Sequence, residues 1–101
     1  MADSVAREYE MVVVLSADVG EADIPARLDG FKELVTEHGG NVTDSIDWGR
    51  RRLAYQIKGN FEGHYVITEF SAESGMRNGE IERELNIDES VLRYLIVRVD
   101  N

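Results

Sequence analysis

Two segments with the 3.6-residue period of an amphipathic helix lie between four runs rich in β-branched residues, and that order leaves few folds open to a chain of 101 residues. The first run, Glu8 to Leu15, contains Met11-Val12-Val13-Val14-Leu15 and reads as a strand. Strand alternation puts Tyr9, Met11, Val13 and Leu15 on one face and Glu8, Glu10, Val12 and Val14 on the other. After a polar turn around Ser16 to Gly20, Ile24, Leu28, Phe31 and Val35 fall on one side of a helix. Pro25 suits its first turn and Asp23 its cap, while Gly39-Gly40 supply the positive φ that ends it near His38.

Asn41 to Lys58 is a second extended region, broken at Trp48-Gly49, where glycine marks a bulge or sharp bend. Lys58 to Gly63 reads as a hairpin loop, and His64 to Ser71 as the third strand, with Val66, Thr68 and Phe70 alternating against Tyr65, Ile67 and Glu69. The second helix is expected to be short, with Ile81 and Leu85 as its apolar stripe, Gly75, Asn78 and Gly79 weakening its start, and its end near Asn86. Glu80, Glu82 and Glu84 form its solvated side, and the acids from Asp18 to Asp29 read the same way. Val91 to Val99 is the last strand.

The order β-α-β-β-α-β matches a split β-α-β arrangement, an α+β fold with a four-stranded antiparallel sheet and both helices packed on one face. Residues 8–99 form one domain, 1–7 a short flexible tail and 100–101 the end. If Met11, Val13 and Leu15 face the helices, then Val12 and Val14 join Tyr65 and Ile67 on the uncovered face as an apolar patch, a candidate protein-partner surface.

Charge singles out the segment from Trp48 to Lys58, which holds Arg50, Arg51, Arg52 and Lys58, the aromatics Trp48 and Tyr55, and no acid. The whole chain has 20 acids against 11 bases and a net charge of -9, which by itself argues against a nucleic-acid partner. The Debye length at physiological ionic strength is roughly 8 Å, so acids on the far side of a small domain are screened from a phosphate docked here. Guanidinium groups offer a planar fork to phosphate oxygens, and stacking on Trp48 or Tyr55 contributes on the order of 1–3 kcal/mol per base. The plainer reading is a solvated arginine run on an edge strand, where charge prevents edge-to-edge pairing.

Other chemistry has less support. There is no cysteine, so disulfides and thiolate chemistry are excluded, and two separated histidines give no metal site. No apolar run approaches the ~20 residues that span a bilayer, and the start lacks a signal-peptide centre, so the chain is expected to be soluble and intracellular, with no membrane partner. Asp44 and Asp47 have no nearby nucleophile or metal-binding histidine to make them a catalytic pair. His64 reads as a surface or hairpin residue, and Asn41-Val42-Thr43 as a glycosylation pattern without a secretory context.

The run Trp48-Gly49-Arg50-Arg51-Arg52-Leu53-Ala54-Tyr55-Gln56-Ile57, followed by Glu62-Gly63-His64-Tyr65, resembles the hallmark strands of protein six of the bacterial small ribosomal subunit. Arg7-Glu8-Tyr9-Glu10 is similar to that family's opening strand, and Leu85 to Arg93 to its last helix-to-strand joint. The resemblance implies a ferredoxin-like fold, no enzymatic activity, no cofactor or small-molecule substrate, and a place on the cytoplasmic ribosome. It further implies binding to small-subunit ribosomal RNA together with small-subunit protein eighteen, a small basic neighbour. Arg7, Tyr9, Arg51, Arg52 and Tyr55 match family positions near the RNA and partner surfaces. Arg50 and Lys58 join them from local charge, Trp48 from stacking, and Tyr65 and Ile67 from the patch. An acylphosphatase-like enzyme of the same fold, or a module that dimerises through open sheet faces, are the alternatives. The first would need an anion cradle after the first strand, and no glycine-rich loop resembling one stands there.

Overall fold

The computed structural model describes residues 7–73 and 78–99. In chain order they form β1 (Arg7–Ser16), α1 (Ile24–Glu37), β2 (Asn41–Ile57), β3 (Asn60–Ala72), α2 (Asn78–Ile87) and β4 (Val91–Arg98), with a 3-10 turn at Glu21–Asp23 leading into α1. The strands make one antiparallel sheet in the order β2-β3-β1-β4, so the two most buried strands, β1 and β3, lie at its centre. Both helices cover the same face. Met11, Val13 and Leu15 of β1 meet Val66, Phe70 and Ala72 of β3, Ile24, Phe31 and Val35 of α1, and Ile81 and Leu85 of α2 in one buried cluster. This is the ferredoxin-like α+β architecture.

Several local expectations need correction. Asp23 makes no side-chain capping bond, because the 3-10 turn before α1 already holds it at φ -93°, ψ -9°, with its own amide donating to Gly20 O at 2.9 Å. At the other end Gly39 takes φ 94°, but Gly40 is there for space: a Cβ on it would lie 2.4 Å from Val35 Cγ1. The loop between β2 and β3 is only Lys58 and Gly59, at φ 49° and 82°, the pair of positive values a two-residue hairpin requires. Asn60 to Gly63, which read as loop by composition, instead pair with β2, and β3 starts four residues earlier than expected. Of the expected tail, Arg7 opens β1; the rest of it, Gly75 and residues 100–101 lie outside the described residues.

The link from α1 to the turn before β4 is polar. The Arg27 guanidinium donates to Asp88 and, at 2.9 Å, to Ser90 Oγ, while the Ser90 amide and hydroxyl donate to Asp88 Oδ1 at 3.0 and 2.7 Å. Burial pushes the Asp88 carboxyl up, but the hydrogen bonds from Arg27 and Ser90 and the Arg27 charge outweigh it and hold the group below its ordinary 3.8. A carboxyl with a depressed folded-state value stabilises above its ordinary value and ceases to do so as pH falls through the depressed one. Arg27→Ala is therefore expected to cost roughly 1–2 kcal/mol in urea unfolding near neutral pH, and the gap to the parent chain should narrow as pH falls below 3.8. What remains at low pH is the Arg27 bond to Ser90 Oγ and its contact with the Phe31 ring, 5.2 Å from its centroid. A gap that did not change with pH would contradict the assignment.

Candidate nucleic-acid interface

The hairpin of β2 and β3 runs past the body of the sheet and gives the molecule its 50 × 25 × 23 Å shape. Along it Asp47 pairs with Val66 and Gly49 with Tyr65, so Trp48 is an extra residue in β2, and Gly49 at φ 88° supplies the left-handed backbone that such a bulge uses. Beyond it Arg50 pairs with His64, Arg51 with Gly63 and Arg52 with Glu62. His64 follows the inward-facing residues of β3 and Tyr65 the outward ones. Arg51 thus lies on the helix-free face, and Arg50 and Arg52 on the other.

The guanidiniums differ in how they are occupied. Arg51 stands over Trp48, 4.9 Å from the ring centroid, and the Trp48 ring is tilted 39° to Tyr65 at 6.5 Å. Trp48 is 50% exposed. Arg51 and Arg52 are exposed and meet no carboxylate among the described residues, whereas Arg50 Nη1 lies 3.6 Å from Glu62 Oε1 and its Nη2 donates to Ala17 O at 3.4 Å. Lys58 Nζ donates to Val91 O at 3.3 Å. Tyr55 is exposed, and its hydroxyl accepts from Arg93 Nη1 at 3.3 Å, a cation that sequence reasoning missed because nothing local says that β4 comes within reach of the hairpin.

Register arranges the helix-free face in rows across β2, β3, β1 and β4. Asp44, Glu69, Glu10 and Val97 form one row, Ile46, Ile67, Val12 and Leu95 the next, and Gly49, Tyr65, Val14 and Arg93 the third. Arg51 lies one row further on. At ~3.3 Å per residue it stands about 20 Å from the acid row, more than two Debye lengths. The exposed acids of α1 and α2 are on the opposite side of the sheet.

That face is less open than its sequence implies. Val14 is 2% exposed because Leu53 and Leu92 pack on it, with Ile57 and Tyr65 beside them, and Ile67 is 4% exposed. Leu53 reaches back because four residues of β2, 53–56, face the single residue 61 of β3. Leu95 is the large apolar side chain of the middle row that remains exposed.

Arg7 and Tyr9 sit elsewhere. Arg7 pairs with Ala72 at the end of β1 far from the hairpin, about 30 Å from the Gly63 level by strand length, and Tyr9 stacks on Phe70 with centroids 5.3 Å apart. The structure does not bring these two together with the arginine run. His64 is a correction: it is 5% exposed, turned inward opposite Leu15, and its Nε2–H donates to Asp47 Oδ1. Asp47 also accepts from the Gly49 amide at 2.9 Å, while Asp44 accepts from the Ser45 amide at 2.8 Å, so the two aspartates serve separate local bonds. No group of three or more metal-ligating side chains occurs among the described residues.

These features define a class, a small ferredoxin-like α+β domain with a cationic, aromatic β-hairpin. A family model described as Ribosomal protein S6 matches residues 8–98. The chain is 41% identical over 95 residues to small ribosomal subunit protein bS6 of Caldanaerobacter subterraneus subsp. tengcongensis, covering 94% of this chain and 99% of that one. It is 42% identical over 94 residues to the bS6 protein of Thermoanaerobacter pseudethanolicus, covering 93% and 98%. The crystal structure of 30S ribosomal protein S6 from Thermotoga maritima shares the fold, with a TM-score of 0.86 at 23% identity over 93% of this chain and 88% of that one. The chain belongs to the ribosomal protein S6 family. It is accordingly a non-enzymatic constituent of the small subunit of the cytoplasmic ribosome.

Proposed function

We propose that the chain binds small-subunit ribosomal RNA through the β2–β3 hairpin and does so together with small-subunit protein eighteen, a small basic neighbour that docks on the helix-free sheet face. The observation that carries this reading is the pair Arg51 and Arg52, exposed and without a carboxylate partner among the described residues, in a chain of net charge -9. Arg51 over Trp48 offers phosphate a guanidinium fork and an unpaired base a ring face at one place. Arg50, Lys58 and Tyr55 flank it, each already engaged by an intramolecular contact that RNA would have to replace or share. Arg7 and Tyr9 would make a second, separate contact. On the partner side Val12 and Tyr65 line the surface, with Val14 and Ile67 supporting it from beneath and Leu95 added to it.

Asp44, Glu69 and Glu10 stand side by side across neighbouring strands, an arrangement that costs stability by like-charge repulsion and favours a cationic partner. Such a partner would also lower the long-range repulsion between this chain and RNA. Filter binding of small-subunit ribosomal RNA, with and without protein eighteen, tests the reading at about 0.1 M salt. Retention of RNA that is stronger with the neighbour present and falls with added salt is the expected result. No retention of RNA above that seen with the neighbour alone would refute it.

A further inference from the structure

We propose that His64 and Asp47 act as a positioning pair that decides which arginine the hairpin presents on the helix-free face. Its functional consequence rests on the RNA-binding reading above. Side chains alternate along a strand with period two, so one extra residue moves every later side chain to the opposite face. Trp48 is that extra residue. With the bulge in place, Arg51 shares the helix-free face with Trp48 and Tyr65. Without it, Trp48 would pair with Tyr65, Arg50 with Gly63 and Arg51 with Glu62. Arg51 would then leave the aromatic rings and stand opposite a carboxylate.

Gly49 permits the bulge, since φ 88° is open to glycine, but permission does not hold it. The holding bond is the Gly49 amide donating to Asp47 Oδ1 at 2.9 Å. Asp47 has a side chain 46% exposed, and a solvated aspartate is free to choose other rotamers. The buried imidazole of His64 removes that freedom, because its Nε2–H donates to the same Oδ1. His64 Nδ1 is buried with no hydrogen-bond partner among the described residues, so among them Asp47 is the one polar anchor of the ring. Swinging the carboxylate away would strand a buried donor, which is costly because the imidazole N–H has no water to turn to. The two bonds on one oxygen therefore couple the core to the direction in which Arg51 points.

Trp48 is the one tryptophan of the chain, so its emission reports the bulge directly. His64→Leu removes the donor and keeps the bulk, His64→Gln restores a donor near the Nε2 position, and Asp47→Ala removes the acceptor. His64→Leu and Asp47→Ala are expected to shift Trp48 emission and to weaken binding to small-subunit ribosomal RNA with protein eighteen about five- to tenfold. The log-log salt slope should fall by about 0.7, one phosphate contact. His64→Gln should recover emission and slope alike, which a loss of core packing alone would not predict. A folded His64→Leu protein with native Trp48 emission overturns the proposal whatever happens to RNA. If the parent chain fails to retain RNA while His64→Leu still shifts the emission, the positioning pair stands and the RNA-binding reading falls. Should His64→Leu not fold, amide exchange at Gly49 in His64→Phe, which keeps a ring and the Asp47 acceptor but lacks the donor, decides: faster exchange supports the pair, and an unchanged rate overturns it.

Discussion

Replacing Arg51 and Arg52 together by alanine is expected to lower affinity for small-subunit ribosomal RNA roughly ten- to a hundredfold, two charge-assisted contacts at about 1 kcal/mol or more each. The log-log salt slope should become shallower by about 1.4, because two fewer phosphates are neutralised. Thermal unfolding should barely move. Both side chains are exposed, neither meets a carboxylate among the described residues, and surface changes of this kind stay within about 0.5 kcal/mol. Arg50→Ala is the informative contrast, since Arg50 is already shared with Glu62 and Ala17 O and has less to offer a phosphate. Binding isotherms at several salt concentrations check both variants. Equal losses from Arg50→Ala and from the double variant would mean that local charge, and not the direction set by the bulge, governs the contact.

Gly63→Ala carries the largest expected stability loss. A Cβ there would lie 2.4 Å from Val14 Cγ1 and 3.3 Å from the backbone oxygen of Leu15, with Leu53 Cδ2 at 3.6 Å. Val14 cannot move aside easily, because Leu53 and Leu92 enclose it. Overpacking of this kind costs about 1–3 kcal/mol, which for a domain of this size lowers the melting temperature by roughly 10 °C. Val14→Ala in the same chain removes the clashing methyl, so the double variant should be more stable than the sum of the two single losses predicts, by at least about 0.5 kcal/mol. Simple additivity in denaturant unfolding would show that the crowding relaxes elsewhere. Gly63 also pairs with Arg51, so the same variant tests whether strain under the hairpin reaches RNA binding.

Much of this molecule was legible from periodicity. Met11, Val13 and Leu15 alternate inward as read, Phe31 and Val35 face the sheet from α1, and Ile81 and Leu85 suffice to bury a short α2. The arginine run was visible as composition. Its orientation was not, because orientation depends on a bulge whose hydrogen bonds join Asp47 to His64, 17 residues away. Leu53, Leu92 and Arg93 were overlooked for the same reason: each acts through a neighbour brought near by the sheet. The hairpin loop was read too long because asparagine, glutamate and glycine look like turn residues, yet ladder pairing needs only backbone groups, which every residue but proline carries.

Local chemistry, then, determined what is short-ranged here: where helices and strands form, which side of each is apolar, and that one ribbon is cationic within an acidic chain. Those properties follow from side-chain spacing along a single segment. Only the assembled sheet decided that His64 is buried, that Val14 is covered, that acids, aliphatics and cations fall into successive rows, and that Arg51 points away from the helices. Each of these depends on strand register, and register is a relation between segments far apart in the chain.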